Sequence, residues 1–257
     1  MSNQKLASDN LVAAIESRRS RRSLLKGAVV SAAGATGVAA VASAIIPAGS
    51  AFAATTQSSC VTPIPQILTI GRTAERLAVT FYSHGLKYAD KLGLSWDAQV
   101  LLKAAMIEEQ IHENFFASAG GQVLTSTFSF PNGEETFRDL SKFIATQQQL
   151  EGVFDSAFLA AIKEFGEQGR PDLSQIAGQI ATIEAEHRAL GRLIGGLSPA
   201  DNWAFSPVLL GSVGDAPAVV KQAGYLSPTQ GNSFTYHPVS TSDSGVIYRS
   251  PFAVQSC

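Results

Sequence analysis

Residues 109–112 read Glu109-Gln110-Ile111-His112, and residues 184–187 read Glu184-Ala185-Glu186-His187. In an α-helix, positions i and i+3 share one face. Each tetrapeptide therefore sets a carboxylate beside an imidazole. Ala105, Met106, Phe115 and Phe116 surround the first motif, and Ile180, Ile183 and Leu190 surround the second. Apolar flanks turn these polar groups toward a core, where they need partners. One such motif is a weak signal, and its bland reading is exposed glutamates with capping or core histidines.

Working outward, Glu75 lies 34 residues before Glu109, and Glu151 lies 33 before Glu184. Glu75 and Glu151 are 76 residues apart, and the two motifs are 75 apart. The chain repeats one plan: a helix with a Glu, then a helix with Glu-x-x-His. Four segments have the required length and period. The first is predicted over 65–92, with Leu68, Leu77, Phe81 and Tyr88 at helical spacing and Gly93 as its stop. The second starts near Ser95, a good N-cap with Asp97 in the first turn, and ends at Gly120-Gly121. The third covers 141–165, and the fourth runs from Pro171-Asp172 to Gly195-Gly196. Residues 122–137 contain the turn Pro131-Asn132-Gly133 and are long enough for a crossover between two helix pairs. The expected class is all-α: a four-helix bundle with a long crossover. Residues 197–257 are rich in Ser, Pro, Gly, Thr and Tyr. They predict an irregular extension, with a short hairpin near Gly245 and no helix, that packs on the bundle or on a partner.

Two such helix pairs about a pseudo-twofold axis bring four carboxylates and two imidazoles to one bundle centre. That is the ligand set of ferritin-like di-iron or di-manganese proteins. The sequence resembles bacterial ferritin-like domain proteins related to plant desiccation-related proteins. The resemblance rests on four short pieces: residues 74–82 around Glu75, Glu109-x-x-His112-x-Asn114-Phe115, residues 150–158 around Glu151, and residues 183–190 around Glu184 and His187. It covers about 65–195 and implies a ferritin-like four-helix bundle with a dinuclear metal site. On that resemblance Glu109 and Glu184 bridge two ions or chelate one each, and Glu75 and Glu151 are terminal ligands. His112 and His187 each bind one ion through a ring nitrogen, with the other nitrogen held by an outer partner. Carboxylate oxygens and imidazole suit Fe or Mn, and Zn less well.

Tyr82, seven residues after Glu75, lies on the same stripe. It could bond a ligand or donate an electron, or be an ordinary core aromatic. Gly152 could open space beside Glu151 or serve packing alone. His84 lies off the stripe and reads as a surface or packing residue. Glu108, Glu113 and Glu186 read as solvent-facing, with an acidic path for cations as the alternative. His237 has no metal-spaced neighbour. There is no Gly-rich phosphate loop, nucleophile elbow or CxxC.

The chain has 257 residues, 45% hydrophobic and 16% charged, which suits a protein with a real core. Its net charge of −2 argues against a nucleic-acid partner. Residues 1–53 hold six basic and two acidic residues, leaving 54–257 at net −6. The basic part reads as an address. Residues 20–26 carry Arg21-Arg22, an apolar pair and Lys26, the twin-arginine pattern. A weakly apolar stretch then leads to Ala51-Phe52-Ala53, an A-x-A cleavage signature. An uncleaved membrane helix is the alternative. The expected domains are a signal peptide over 1–53, the bundle over 54–196 and the extension over 197–257. The expected destination is the periplasm or the extracellular space, reached through the twin-arginine export machinery. There the two cysteines, Cys60 and Cys257, would pair in a disulfide that ties the termini together, the alternative being two free thiols.

Three functions are in view. The first is a metal-dependent redox protein of ferroxidase or peroxidase type, with dioxygen or peroxide as partner. The second is a structural or stress envelope protein whose metal site is vestigial or stabilising. The third is an iron-storage cage, which the long extension and the export signal disfavour; a homodimer is compatible with the other two.

Overall fold

The computed structural model describes residues 61–242, 245–247 and 251. The leader 1–53, Cys60, Cys257 and their expected pairing lie outside the described residues.

Four long helices carry the fold. Helix α1 spans Ile64–Lys87 and starts on a proline in its first turn. A short α2, Ala89–Leu92, follows a break at Tyr88 and stops at Gly93, whose φ of 66° suits a residue without Cβ. The first helix is thus shorter than the periodicity suggested, because Tyr88 leaves helical dihedrals. Helix α3 is Trp96–Ser118, and the Ser95 side chain caps it by accepting from Ala98 N. Helix α4 is Leu140–Glu167, capped by Asp139 accepting from Lys142 N. Helix α5 is Pro171–Ile194. Helices α1 and α3 pack along each other, as do α4 and α5. The result is a ferritin-like bundle of two helix pairs.

The crossover and the tail differ from their loop assignments. Strand β1, Thr127–Phe128, lies in the crossover, followed by a 3₁₀ turn over Gly133–Phe137. It pairs antiparallel with β2, Phe234–Thr235, in the tail. Residues 245–247, where a hairpin was expected, carry no strand. The tail also holds a helix, α6, Ala216–Gln222, where none was expected. Pro217 in its first turn and the burial of Ala216 favour this short helix. Among the described residues no helix is long and apolar enough to cross a membrane.

The core has two apolar regions. One gathers Phe81, Phe143 and Phe154 with Phe130, Phe137, Tyr225 and Phe234 from the crossover and tail. The other gathers Ile67, Phe116, Phe158, Phe165 and Ile180. On all four helices the predicted polar positions fall between these regions. Two dry layers therefore sandwich one polar layer.

Candidate metal centre

The six predicted side chains meet in that layer. Ligand atoms of Glu75, Glu109, His112 and Glu184 lie within 4.8 Å of one another, and so do those of Glu109, Glu151, Glu184 and His187. Glu109 and Glu184 belong to both sets. All four glutamates and His187 are at most 1% exposed. His112 has 12% of its side chain exposed.

Nδ1 of both histidines faces the cluster. In His187 it lies 2.9 Å from Glu109 Oε1 and 3.7 Å from Glu184 Oε2. In His112 it lies 3.4 Å from Glu109 Oε2, 3.7 Å from Glu184 Oε1 and 3.8 Å from Glu75 Oε2. The far nitrogen of His187, Nε2, is held by Glu108 Oε2 at 2.8 Å. Tyr82 donates its hydroxyl to Glu151 Oε1. Gln147 Nε2 donates to the His187 carbonyl at 2.7 Å and to the Tyr82 oxygen at 3.2 Å. Gly191 makes room for it, since a Cβ there would stand 2.0 Å from Gln147 Oε1.

Burial and the crowding of like charges shift the titration of most of these groups. Burial, then the charges of Glu109 and Glu184, push Glu75 well above the usual carboxylate range. Burial and Glu184 do the same to Glu151, and burial and Glu109 raise Glu184. Burial also acts to raise Glu109, but His187 and His112 outweigh it and Glu109 ends below the usual range. Burial would lower His187, but Glu109 and Glu108 overcome it and hold the imidazolium well above its usual value. Burial, then Glu151, raises Tyr82. One turn beyond Glu151, burial and Glu184 push Asp155 up to about 7.

Five buried carboxylate oxygens have no hydrogen-bond partner: both of Glu75, both of Glu184, and Oε2 of Glu151. Buried acceptors are ordinarily satisfied, and buried charges are paired or bind metals. The two sets are oxygen-rich, carry one imidazole each and share two carboxylates, a donor chemistry that suits metal ions. The side chains present could therefore hold such metals.

Among the neighbours, Glu108 and Glu113 depart from their expected places. Glu186 is exposed, as read from sequence. Glu108 is not simply solvent-facing, because it holds His187. Glu113 is buried, with Oε1 taking Arg72 Nε at 2.9 Å and Arg76 Nε at 2.8 Å. His84 is a packing residue against Phe137 and Phe234, away from the cluster. His237 is exposed. Gly152 faces Trp203, whose ring would sit 3.7 Å from an added Cβ, an ordinary packing distance. Arg188, next to His187, stacks its guanidinium 3.3 Å over the Trp203 ring and donates to Asn202. Sequence reading missed Gln147 and Asp155, and it named Glu108 without its role on His187. The first two stand four residues either side of Glu151, a spacing that flags them; Glu108 had no such signal.

Four helices that direct a Glu from two of them and Glu-x-x-His from the other two into one buried layer define a class, the ferritin-like carboxylate bundles. The comparison with known families agrees: the ferritin-like domain family matches residues 65–196, and the chain belongs to it. No curated protein and no solved structure matches the chain.

Proposed function

We propose that the chain is an exported ferritin-like protein that holds two Fe or Mn ions. It oxidises ferrous iron or reduces dioxygen or peroxide. The observation that carries this reading is the set of five unpartnered carboxylate oxygens in two overlapping groups that share Glu109 and Glu184. Bound Fe or Mn would supply redox chemistry that these carboxylates and imidazoles lack. The chain's own part is to fix the donors. Glu75 and His112 would hold one ion, Glu151 and His187 the other, with Glu109 and Glu184 between them. Glu108 keeps the His187 ring in one orientation, and Tyr82 and Gln147 hold Glu151. The apolar layers above and below keep bulk water out. Export rests on Arg21-Arg22 and on Ala51-Phe52-Ala53.

Metal analysis of protein purified without chelators tests the first step. About two Fe or Mn per chain are expected, and less than about one of any metal sinks the reading. Oxygen or peroxide consumption with ferrous iron tests the second. The structural alternative, a stress protein in which the metal only braces the bundle, predicts a lower Tm on metal removal with no such consumption.

A further inference from the structure

Beside the Glu/His layer, toward the bundle end where α1 and α5 begin, the packing leaves a cavity of about 60 Å³. All four long helices wall it. The crossover and the tail complete the wall through Leu124, Val213, Pro217 and Val220. A water needs roughly 10–15 Å³ and two to four polar partners. The space suffices, but the walls offer no such partners. Their one polar side chain is Thr73, whose hydroxyl already donates to Thr69 O at 2.7 Å and accepts from Leu124 N at 3.0 Å. Every other wall side chain is aliphatic or aromatic.

Polarity and size narrow the occupant. A ligand with hydrogen-bonding groups, hydrogen peroxide included, would give up its water partners and find none here. An engineered apolar cavity of about 150 Å³ admits benzene, and the space here is less than half of that. What meets both limits is a small apolar molecule, a dissolved gas. Apolar cavities do take up such species, xenon among them.

Place gives the third limit. None of the six donors lines the cavity, yet on each long helix a wall residue stands one turn from a donor. Gly71 precedes Glu75 by four positions, and Phe116 follows His112 by four. Phe154 follows Glu151 by three, and Ile180 precedes Glu184 by four. Such spacings share a helix face, so the cavity abuts the polar layer. Leu124, 55% exposed, brings the wall to the surface.

We infer that this cavity is a binding site for dioxygen, held as an apolar gas beside the Glu/His layer. The preference for a small apolar gas stands on the walls alone. The choice of dioxygen among such gases rests on the metal reading above. It also narrows that reading, because the same walls reject peroxide. Holding the gas makes and breaks no bond. The electrons for its reduction come from ferrous iron, and the protons from solvent.

The test uses the full chain with its isoleucine δ1 methyls labelled for NMR, and metal content is measured on the same preparations. On chelator-treated protein, xenon under pressure should give saturable shifts at Ile67, Ile70, Ile176 and Ile180, at one atom per chain. Ile144, equally buried in the other apolar region, should not shift. Dissolved dioxygen is paramagnetic and should speed the relaxation of the same four methyls more than that of Ile144. Benzene should not bind. Ala177→Leu fills the cavity and should abolish the xenon shifts. In the metal-loaded form it should raise KM for dioxygen at least ~5-fold and leave kcat, KM for peroxide and metal content unchanged. Should that variant fail to fold, Ile180→Ala enlarges the cavity instead and should admit benzene.

Absence of saturable xenon shifts overturns the inference. So does benzene bound to the unaltered chain, persistence of the shifts in a folded Ala177→Leu, or an Ile180→Ala that still excludes benzene. An unchanged KM for dioxygen in Ala177→Leu, or an equal rise for peroxide, overturns the choice of dioxygen. Metal held with no xenon bound sinks the cavity and spares the metal centre. Xenon bound in a chain that holds no Fe or Mn overturns the choice of dioxygen through failure of the metal reading, and spares the cavity.

Discussion

The two helix pairs carry the same donor pattern and hold it very differently. In α4–α5 His187 and one oxygen of Glu151 are braced, although Glu184 is not. His187 is engaged at both nitrogens, Glu151 takes the Tyr82 hydroxyl, and Gln147 ties Tyr82 to the His187 carbonyl. In α1–α3 Glu75 and His112 are loose, and only Glu109 is held, by His187. Both oxygens of Glu75 lack a hydrogen bond, and His112 makes only contacts of 3.4–3.8 Å. Among the described residues no carboxylate sits on Nε2 of His112. An imidazole oriented by an outer carboxylate is a better ligand than a free one. The repeat in sequence therefore does not make two equal sites. The α4–α5 position should fill first and hold its ion more tightly.

The largest effect should come from what the halves share. Glu109→Ala with Glu184→Ala removes a donor pair from both sets and should drop metal from about two ions to below ~0.2 per chain. If a full ion remains, the two halves do not depend on shared carboxylates. Single histidine changes come next and sort the halves. His187→Ala should lower the tighter affinity at least ~100-fold, whereas His112→Ala should weaken only the looser ion, by ~10-fold. Equal losses in a two-site titration would erase the asymmetry.

Metal removal exposes the same contrast through pH. Glu75, Glu151 and Glu184 have raised values in the folded chain, and Asp155 is pushed up to about 7. Each binds its proton more tightly folded than unfolded. Between the ordinary carboxylate range and about pH 7 the folded state holds more protons, so stability falls as pH rises. His187 acts in the same direction, because its raised value stabilises the charged form and that contribution is lost as pH rises. Glu109 runs the other way, but its window lies below the ordinary carboxylate range. The metal-free protein should therefore melt at least ~3 °C lower at about pH 8 than at about pH 5. Metal-loaded protein should show no such fall, since cations keep the carboxylates ionised. A metal-free Tm that rises with pH contradicts the burial of unpaired carboxylates.

Much of this was legible in the chain. The near-equal spacings of Glu75, Glu109, Glu151 and Glu184 encode four helices in register, and helix periodicity turns all six donors inward. The cap at Ser95 and the stop at Gly93 are local chemistry, so they read directly. What local chemistry does not carry was not legible. The pairing of Phe128 with Phe234 joins positions more than a hundred residues apart, and only tertiary packing selects it. Helix α6 is too short for periodicity to show. Glu113 read as solvent-facing because nothing near it in sequence announces Arg72 and Arg76 on the neighbouring helix.

The smallest predicted effect is the sharpest probe of the bracing. Glu108 accepts from His187 Nε2 across the α3–α5 contact and is itself partly exposed, with 31% of its side chain accessible. Glu108→Gln keeps the shape and a carbonyl acceptor but removes the charge. Nδ1 can still face Glu109, so no donor is lost. Only the polarisation of the ring and the firmness of its orientation decrease. The tighter ion should weaken by about 10-fold, the lower end for an outer partner, while the looser ion on Glu75 and His112 stays as it was. A wholly structural role for Glu108 would instead lower Tm and leave both affinities in place. A loss spread equally over both ions would mean that Glu108 acts through the net charge of the layer, because a field reaches both positions and a hydrogen bond reaches one.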